Sequence, residues 1–145
     1  MREVTFSRRT MPADDPGPPR QDVRVLIVDD SGPFRAAARE LLEHRGYLVI
    51  GEASSVREAI EAIDDQPPDA VLLDVRLDDE CGSVVAAHVR ARYPAVAVLL
   101  VSADAREASR RLDGTVNGAF GPVEKSDLAK LDLARYWPTP LGHGR

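Results

Sequence analysis

Cysteine is nearly absent from this chain. Cys81 stands alone among 145 residues, which excludes an internal disulfide and suits a reducing compartment. Aromatic residues are also scarce, at 5%, so any core must be mainly aliphatic, and the 43% of hydrophobic residues can supply it. A Val/Leu/Ala core of that kind favours a buried sheet covered by helices on both faces. No run approaches the roughly 20 apolar residues needed to span a bilayer. The N-terminus lacks the apolar stretch of a signal peptide. A cytoplasmic location without membrane insertion is therefore expected. A net charge of −5 argues against direct DNA or RNA binding by the folded part. The length leaves room for one domain with tails.

Residues 1–22 read as a disordered tail, because Pro12, Pro16, Pro18 and Pro19 alternate with charge and nothing apolar is periodic. From Val23 onward, strand-like and helix-like stretches alternate. Residues 23–28 form a short apolar run broken only by Arg24, as in a buried strand. Phe34, Ala37, Ala38, Leu41 and Leu42 then recur at helical spacing, and Gly46 stops them. After a second strand over 48–53, Ser55 and Glu58 form a capping box for a helix with Val56, Ala59, Ile60 and Ile63 on one face. Pro67 and Pro68 end it. Residues 70–73 are the third strand, followed by a loop to Gly82 and a helix lined by Val84, Val85, His88 and Val89. His88 on this stripe is expected to be packed, and Cys81 to be an inert thiol. The fourth strand covers 95–101 and ends at Ser102, a weaker helix covers 105–112, and a short fifth strand covers 117–121. Ser126 is placed to cap a last helix reaching Tyr136, before Pro138.

Five β–α pairs with short connections imply an α/β fold, a doubly wound parallel sheet with right-handed crossovers. The flavodoxin-like order 2-1-3-4-5 sets strands 1 and 3 side by side. Asp29 and Asp30 follow the first strand, and Asp74 follows the third. Residues just past the carboxyl ends of parallel strands gather in one crevice. Carboxylates converging there repel one another and lose hydration, so they need a cation or a shared proton. An oxygen-only cluster suits Mg²⁺, often in company with a phosphate. Ser102 and Lys125 fall on the same rim.

Four pieces in this order and spacing resemble the receiver domain of bacterial response regulators. They are Val25-Leu26-Ile27-Val28-Asp29-Asp30, Leu72-Leu73-Asp74 with Gly82 beyond it, Ser102-Ala103, and Gly118-Ala119-Phe120-Gly121 with Lys125. The resemblance covers residues 23–136 and leaves 137–145 as a short tail. It implies that Asp74 accepts a phosphoryl group from a sensor histidine kinase or phosphotransfer protein, with Mg²⁺ as cofactor. Asp30, Asp74 and the Arg76 backbone carbonyl would bind the metal directly, and Asp29 through a metal-bound water. Lys125, the Ser102 hydroxyl and the Ala103 amide would hold phosphoryl oxygens. Arg76 and Asp104, each two residues beyond a site residue, are expected to face each other across the mouth and to modulate phosphoryl lifetime.

The chain also departs from that family. Asp78 replaces the proline usual four residues after the acceptor, and Ser126 the proline that follows the lysine. Pro122 replaces the aromatic residue that couples phosphorylation to the output face. The reading is a non-enzymatic, single-domain response regulator that acts through contacts with a downstream protein, since nine residues after Tyr136 are too few for a DNA-binding helix-turn-helix. The alternatives are a receiver-fold binding module that signals without phosphate, and a haloacid-dehalogenase-like phosphatase. The latter needs a second aspartate two residues after the first, where this chain has Arg76.

Overall fold

The alternation of apolar residues sorts the molecule into two cores. In the computed structural model, which describes residues 22–112 and 118–140, β1 (Arg24–Val28), β2 (Leu48–Ala53), β3 (Ala70–Asp74), β6 (Ala97–Ser102) and β7 (Ala119–Glu124) form one sheet. Its order is β2-β1-β3-β6-β7 and every pairing is parallel. That is the expected 2-1-3-4-5 order, once a small hairpin of β4 (Arg76–Leu77) and β5 (Glu80–Cys81) is counted separately. Successive strand residues point to opposite faces. Leu26, Val28, Val71, Leu73, Val98 and Leu100 therefore pack on one side with Ala59, Ile63, Val85 and Val89. Val25, Ile27, Leu72, Leu99 and Val101 pack on the other with Ala38, Leu42, Leu128, Leu133 and Trp137. All five residues of β3 are buried, as its central place requires. Among the described residues, no helix is long and apolar enough to cross a membrane.

The first two helices begin where side-chain caps satisfy their first amides. Ser31 Oγ accepts the Phe34 amide at 3.2 Å and opens α1 (Gly32–His44). Ser55 opens α2 (Val56–Asp65) by accepting the Glu58 amide at 3.1 Å. The Glu58 carboxylate reaches back one residue further than a capping box requires, to the Ser54 amide at 2.8 Å. In α3 (Ser83–Arg92), Val85, Ala86 and Val89 are buried, whereas Val84 is 51% exposed. The expected stripe is thus rotated, and His88 is half-buried at its edge, with its ring centroid 6.2 Å from that of Tyr93. Its Nε2 lies 2.8 Å from Asp64 Oδ1 on α2, and the same oxygen accepts the Tyr93 hydroxyl at 2.7 Å. α4 (Ala105–Leu112) occupies the expected span.

The C-terminal third differs more from expectation. β7 does not stop at Gly121 but runs through Pro122 to Glu124. Pro122, which cannot donate to a ladder, is tolerated because β7 is an edge strand and its register with β6 is irregular between Leu99 and Val101. Gly121 has φ 100°, and a Cβ there would stand 2.5 Å from the Leu100 carbonyl oxygen, so the irregularity requires glycine.

The helix expected over 126–136 is replaced by two 3₁₀ segments, Lys125–Lys130 and Leu133–Arg135. Leu128 and Leu133 are both buried although five positions apart, a spacing that one helical face cannot serve. Arg45 donates to the carbonyls of Leu131 (2.7 Å) and Ala129, holding the chain open between the two turns. Trp137, the first residue of the expected C-terminal tail, is buried and meets Tyr47 edge-on with centroids 5.5 Å apart. Residues 1–21 and 141–145 of the two expected tails lie outside the described residues.

Candidate functional site

The parallel sheet delivers its strand ends to one rim. Asp29 and Asp30 follow β1, Asp74 closes β3, Ser102 closes β6 and Lys125 follows β7. Asp29 is fully buried. Its Oδ1 accepts the Ser31 amide at 2.8 Å, and its backbone carbonyl accepts Arg35 Nη1 at 2.6 Å. Its Oδ2 lies 2.7 Å from Lys125 Nζ. Oδ2 has no hydrogen-bond partner among the described residues. Lys125 Nζ also donates to Asp74 Oδ2 at 3.2 Å and stands 4.5 Å from the Phe34 ring centroid. Asp74, 5% exposed, accepts the Arg76 amide on Oδ1 at 3.1 Å. Asp30 is exposed and accepts the Asp78 amide on Oδ2 at 3.0 Å.

Gly82 shapes this rim from behind. A Cβ at this position would come within 2.2 Å of the Asp74 carbonyl oxygen, and the Gly82 amide donates to Val75 O at 2.5 Å. Only a residue without a side chain lets the hairpin fold back so closely on the end of β3. At the hairpin turn, Asp78 adopts φ 56°, an uncommon conformation that aspartate and asparagine tolerate better than most residues.

Burial and the neighbouring Asp29 charge push the Asp74 carboxyl up from 3.8 to about 6, against the opposing pull of the Arg76 amide and Lys125. For Lys125, burial acts to lower the pKa, but the Asp29 and Asp74 carboxylates outweigh it and hold the ammonium above its usual value. Asp78 is raised by the Asp30 carboxyl beside it, with smaller contributions from Asp79 and Glu80.

The site opens into a cleft of about 360 Å³ lined by Asp30, Asp74, Arg76, Asp78, Ser102, Ala103, Asp104, Glu107 and Lys125. The structure therefore brings together every residue singled out for metal, acceptor and phosphate roles. The Ser102 hydroxyl is turned toward its own loop, donating to Asp104 O and accepting the Asp104 amide, both at 3.1 Å. Arg76 and Asp104 share the cleft wall, but no ion pair between them occurs among the described residues. Asp104 Oδ1 instead accepts the Glu107 amide at 3.1 Å, at the start of α4.

Two participants have no counterpart in the sequence reading of the site. Phe34 reads there only as a core residue at helical spacing, although its ring meets Lys125. Glu124 Oε2 accepts the Ala105 amide at 2.9 Å and ties the end of β7 to the first turn of α4. Neither contact leaves a local trace in the sequence, because each joins segments far apart in the chain.

Asp29, Asp30 and Asp74 each offer a carboxylate oxygen, and these oxygens lie within 4.8 Å of one another. An all-oxygen set that includes a buried oxygen without a hydrogen-bond partner among the described residues fits a hard divalent cation such as Mg²⁺.

A sequence-family model for the response regulator receiver domain matches residues 25–134. Over 110 residues the chain is 33% identical to a protein-glutamate methylesterase/protein-glutamine glutaminase of Alkalilimnicola ehrlichii, covering 74% of this chain and 28% of that protein. It is 35% identical over 114 residues to the DNA-binding transcriptional activator DevR/DosR of Mycobacterium tuberculosis, covering 78% of this chain and 52% of that protein. A two-component response regulator of the LuxR family from Aurantimonas sp. superimposes with a TM-score of 0.64 at 30% identity, covering 77% of this chain and 79% of that one. The chain thus spans only 28% and 52% of the lengths of the two curated relatives.

Proposed function

The chain belongs to the response regulator receiver domain family, and from that premise we propose that Asp74 accepts a phosphoryl group from a sensor histidine kinase or phosphotransfer protein. The observation that carries this reading is the setting of Asp74: a buried carboxylate beside Lys125, Asp29 and Asp30, at the floor of an open cleft. With its pKa near 6, Asp74 is mostly ionised at neutral pH and able to act as the nucleophile. A carboxylate oxygen of Asp74 attacks phosphorus, the P–N bond of a phosphohistidine donor breaks, and the imidazole leaves with the electron pair. An acyl phosphate on Asp74 results.

Phosphoryl transfer asks a protein mainly for positioning and charge stabilisation. Lys125 supplies a positive charge next to the acceptor, and the Ser102 hydroxyl and Ala103 amide are assigned to the phosphoryl oxygens. Asp29, Asp30, Asp74 and the Arg76 carbonyl would hold Mg²⁺, which when bound neutralises charge on the transferring oxygens. Arg76 and Asp104 stand at the mouth and are assigned a modest influence on phosphoryl lifetime.

The receiver is taken to run over residues 23–136, and to act in the cytoplasm through contacts with a downstream protein rather than by binding DNA or by catalysis of its own. The esterase and DNA-binding activities named for the relatives are theirs. Pro122 lacks the side-chain torsions of an aromatic switch, so the response to phosphate is assigned to Ser102 and the segment that follows it.

Incubation with acetyl phosphate and Mg²⁺, read by intact mass, tests the reading. The protein should gain the mass of one phosphoryl group, and Asp74→Asn should gain none. Labelling that persists in Asp74→Asn would overturn the assignment. A second reading, a receiver-fold module that signals without phosphate, is favoured by the negative charge that Asp78 adds beside Asp30. Intact folding without any labelling of the native protein would support it.

A further inference from the structure

Among the described residues, three groups contact the Lys125 ammonium. Two are the carboxylates of Asp29 and Asp74, at 2.7 and 3.2 Å. The third is the ring of Phe34, whose centroid lies 4.5 Å from Nζ. Phe34 is tied to the same acidic turn that carries Asp29. Its amide donates to Ser31 Oγ at 3.2 Å, and the Ser31 amide donates to Asp29 Oδ1 at 2.8 Å. A closed circuit of contacts therefore runs from Asp29 through Ser31 and Phe34 to Lys125, and back to Asp29.

We propose that Phe34 is a positioning residue for phosphoryl transfer, holding the Lys125 ammonium beside the acceptor through a cation–π contact. This rests on the reading of Asp74 as the phosphoacceptor. A lysine ammonium sits on a flexible four-carbon stem and carries three N–H donors. The negative face of an aromatic ring attracts it, yet offers no strong directed acceptor such as a further carboxylate would. The ring steers the cation and leaves its donors for Asp74 and, during transfer, a phosphoryl oxygen. Phe34 also packs, half-buried, against the core that contains Val25 and Ile27. A purely structural role for Phe34 makes a different forecast: its replacement would do the same harm with or without Lys125.

A double-mutant cycle on the full chain separates these roles. Labelling rates with acetyl phosphate and Mg²⁺ are measured for the native protein, Phe34→Leu, Lys125→Ala and the double variant. Phe34→Leu, which keeps the apolar filling, should slow labelling about three- to tenfold in the presence of Lys125, and Phe34→Tyr should restore the rate. In the Lys125→Ala background, Phe34→Leu should slow nothing further. Equal slowing in both backgrounds overturns the proposal.

The contact is read independently from the ε-methylene protons of Lys125 by NMR. These should be shifted upfield by the ring in the native protein and return to ordinary positions in Phe34→Leu. An unshifted native resonance overturns the proposal even where Lys125→Ala fails to fold or label. Failure of the native protein to label, with the ring shift present, instead refutes the phosphoacceptor reading and leaves the contact standing.

Discussion

Asp29, Asp30 and Asp74 stand at the ends of β1 and β3, interior strands with a neighbour on each side, whereas Lys125 follows β7, an edge strand. Every residue of β3 is buried, while most of β7 is only half-buried and its pairing with β6 is irregular. The carboxylates therefore inherit their places from a sheet packed on both faces. The cation depends on side chains instead: Leu128, Leu133 and Trp137 pin the chain that follows it, and Phe34, Asp29 and Asp74 meet its ammonium. The anionic half of the site is set by backbone geometry and the cationic half by tertiary packing.

The largest expected effect tests the weaker side. Trp137→Ala should cost about 3–5 kcal/mol in urea unfolding, as for other buried large aromatics, because the indole packs edge-on against Tyr47 with 3% exposure. A loss below about 1 kcal/mol would show that the C-terminal turns lie outside the cooperative unit, so that only the contacts of its own side chain hold Lys125. The indole nitrogen of Trp137, which has no hydrogen-bond partner among the described residues, somewhat reduces the expected cost.

The next prediction concerns the rigid side and its cost. A carboxyl whose folded pKa is raised, here from 3.8 to about 6, contributes stability that is fully present below its ordinary pKa and lost as pH rises through 6. Without metal, Asp74→Asn should therefore be more stable than the native protein at neutral pH, by up to about 3 kcal/mol. The gain should disappear below the ordinary aspartate pKa of 3.8. Thermal melts across that range check it, and a gain independent of pH would mean that burial of Asp74 is not its source. Added Mg²⁺ should stabilise the native protein and close the gap.

The smallest effect belongs to the mouth of the cleft. Arg76 is exposed and forms no ion pair with Asp104 among the described residues. Arg76→Ala should change the dephosphorylation rate by less than about fivefold, the range of an exposed charge. A larger change in a radiolabel-release assay would show that the guanidinium contacts the phosphoryl group and belongs to the site itself.

Legibility in the sequence follows the same division. The ends of β1 and β3, the Ser55 cap and the order of the sheet were all legible, because each rests on apolar alternation or on hydrogen bonds within a few residues. The 3₁₀ turns after Lys125 were not. Ser126 and Pro138 mark plausible helix ends, but the positions of Leu128 and Leu133 against the core and the grip of Arg45 on Leu131 O decide otherwise. The rotation of α3 and the capture of His88 by Asp64 depended likewise on how α2 and α3 meet.

By itself, the sequence determined that Asp29, Asp30 and Asp74 would share one rim. Parallel strands end on the same side of a sheet, and apolar runs locate those ends. It also placed Gly82, though not the 2.2 Å approach to the Asp74 carbonyl that makes glycine necessary. Only the tertiary structure decided that Lys125 would reach both carboxylates under the ring of Phe34, and that burial would raise Asp74 to about 6. Such contacts join residues far apart in the chain. They follow from strand register, packing and desolvation, which local residue patterns do not carry.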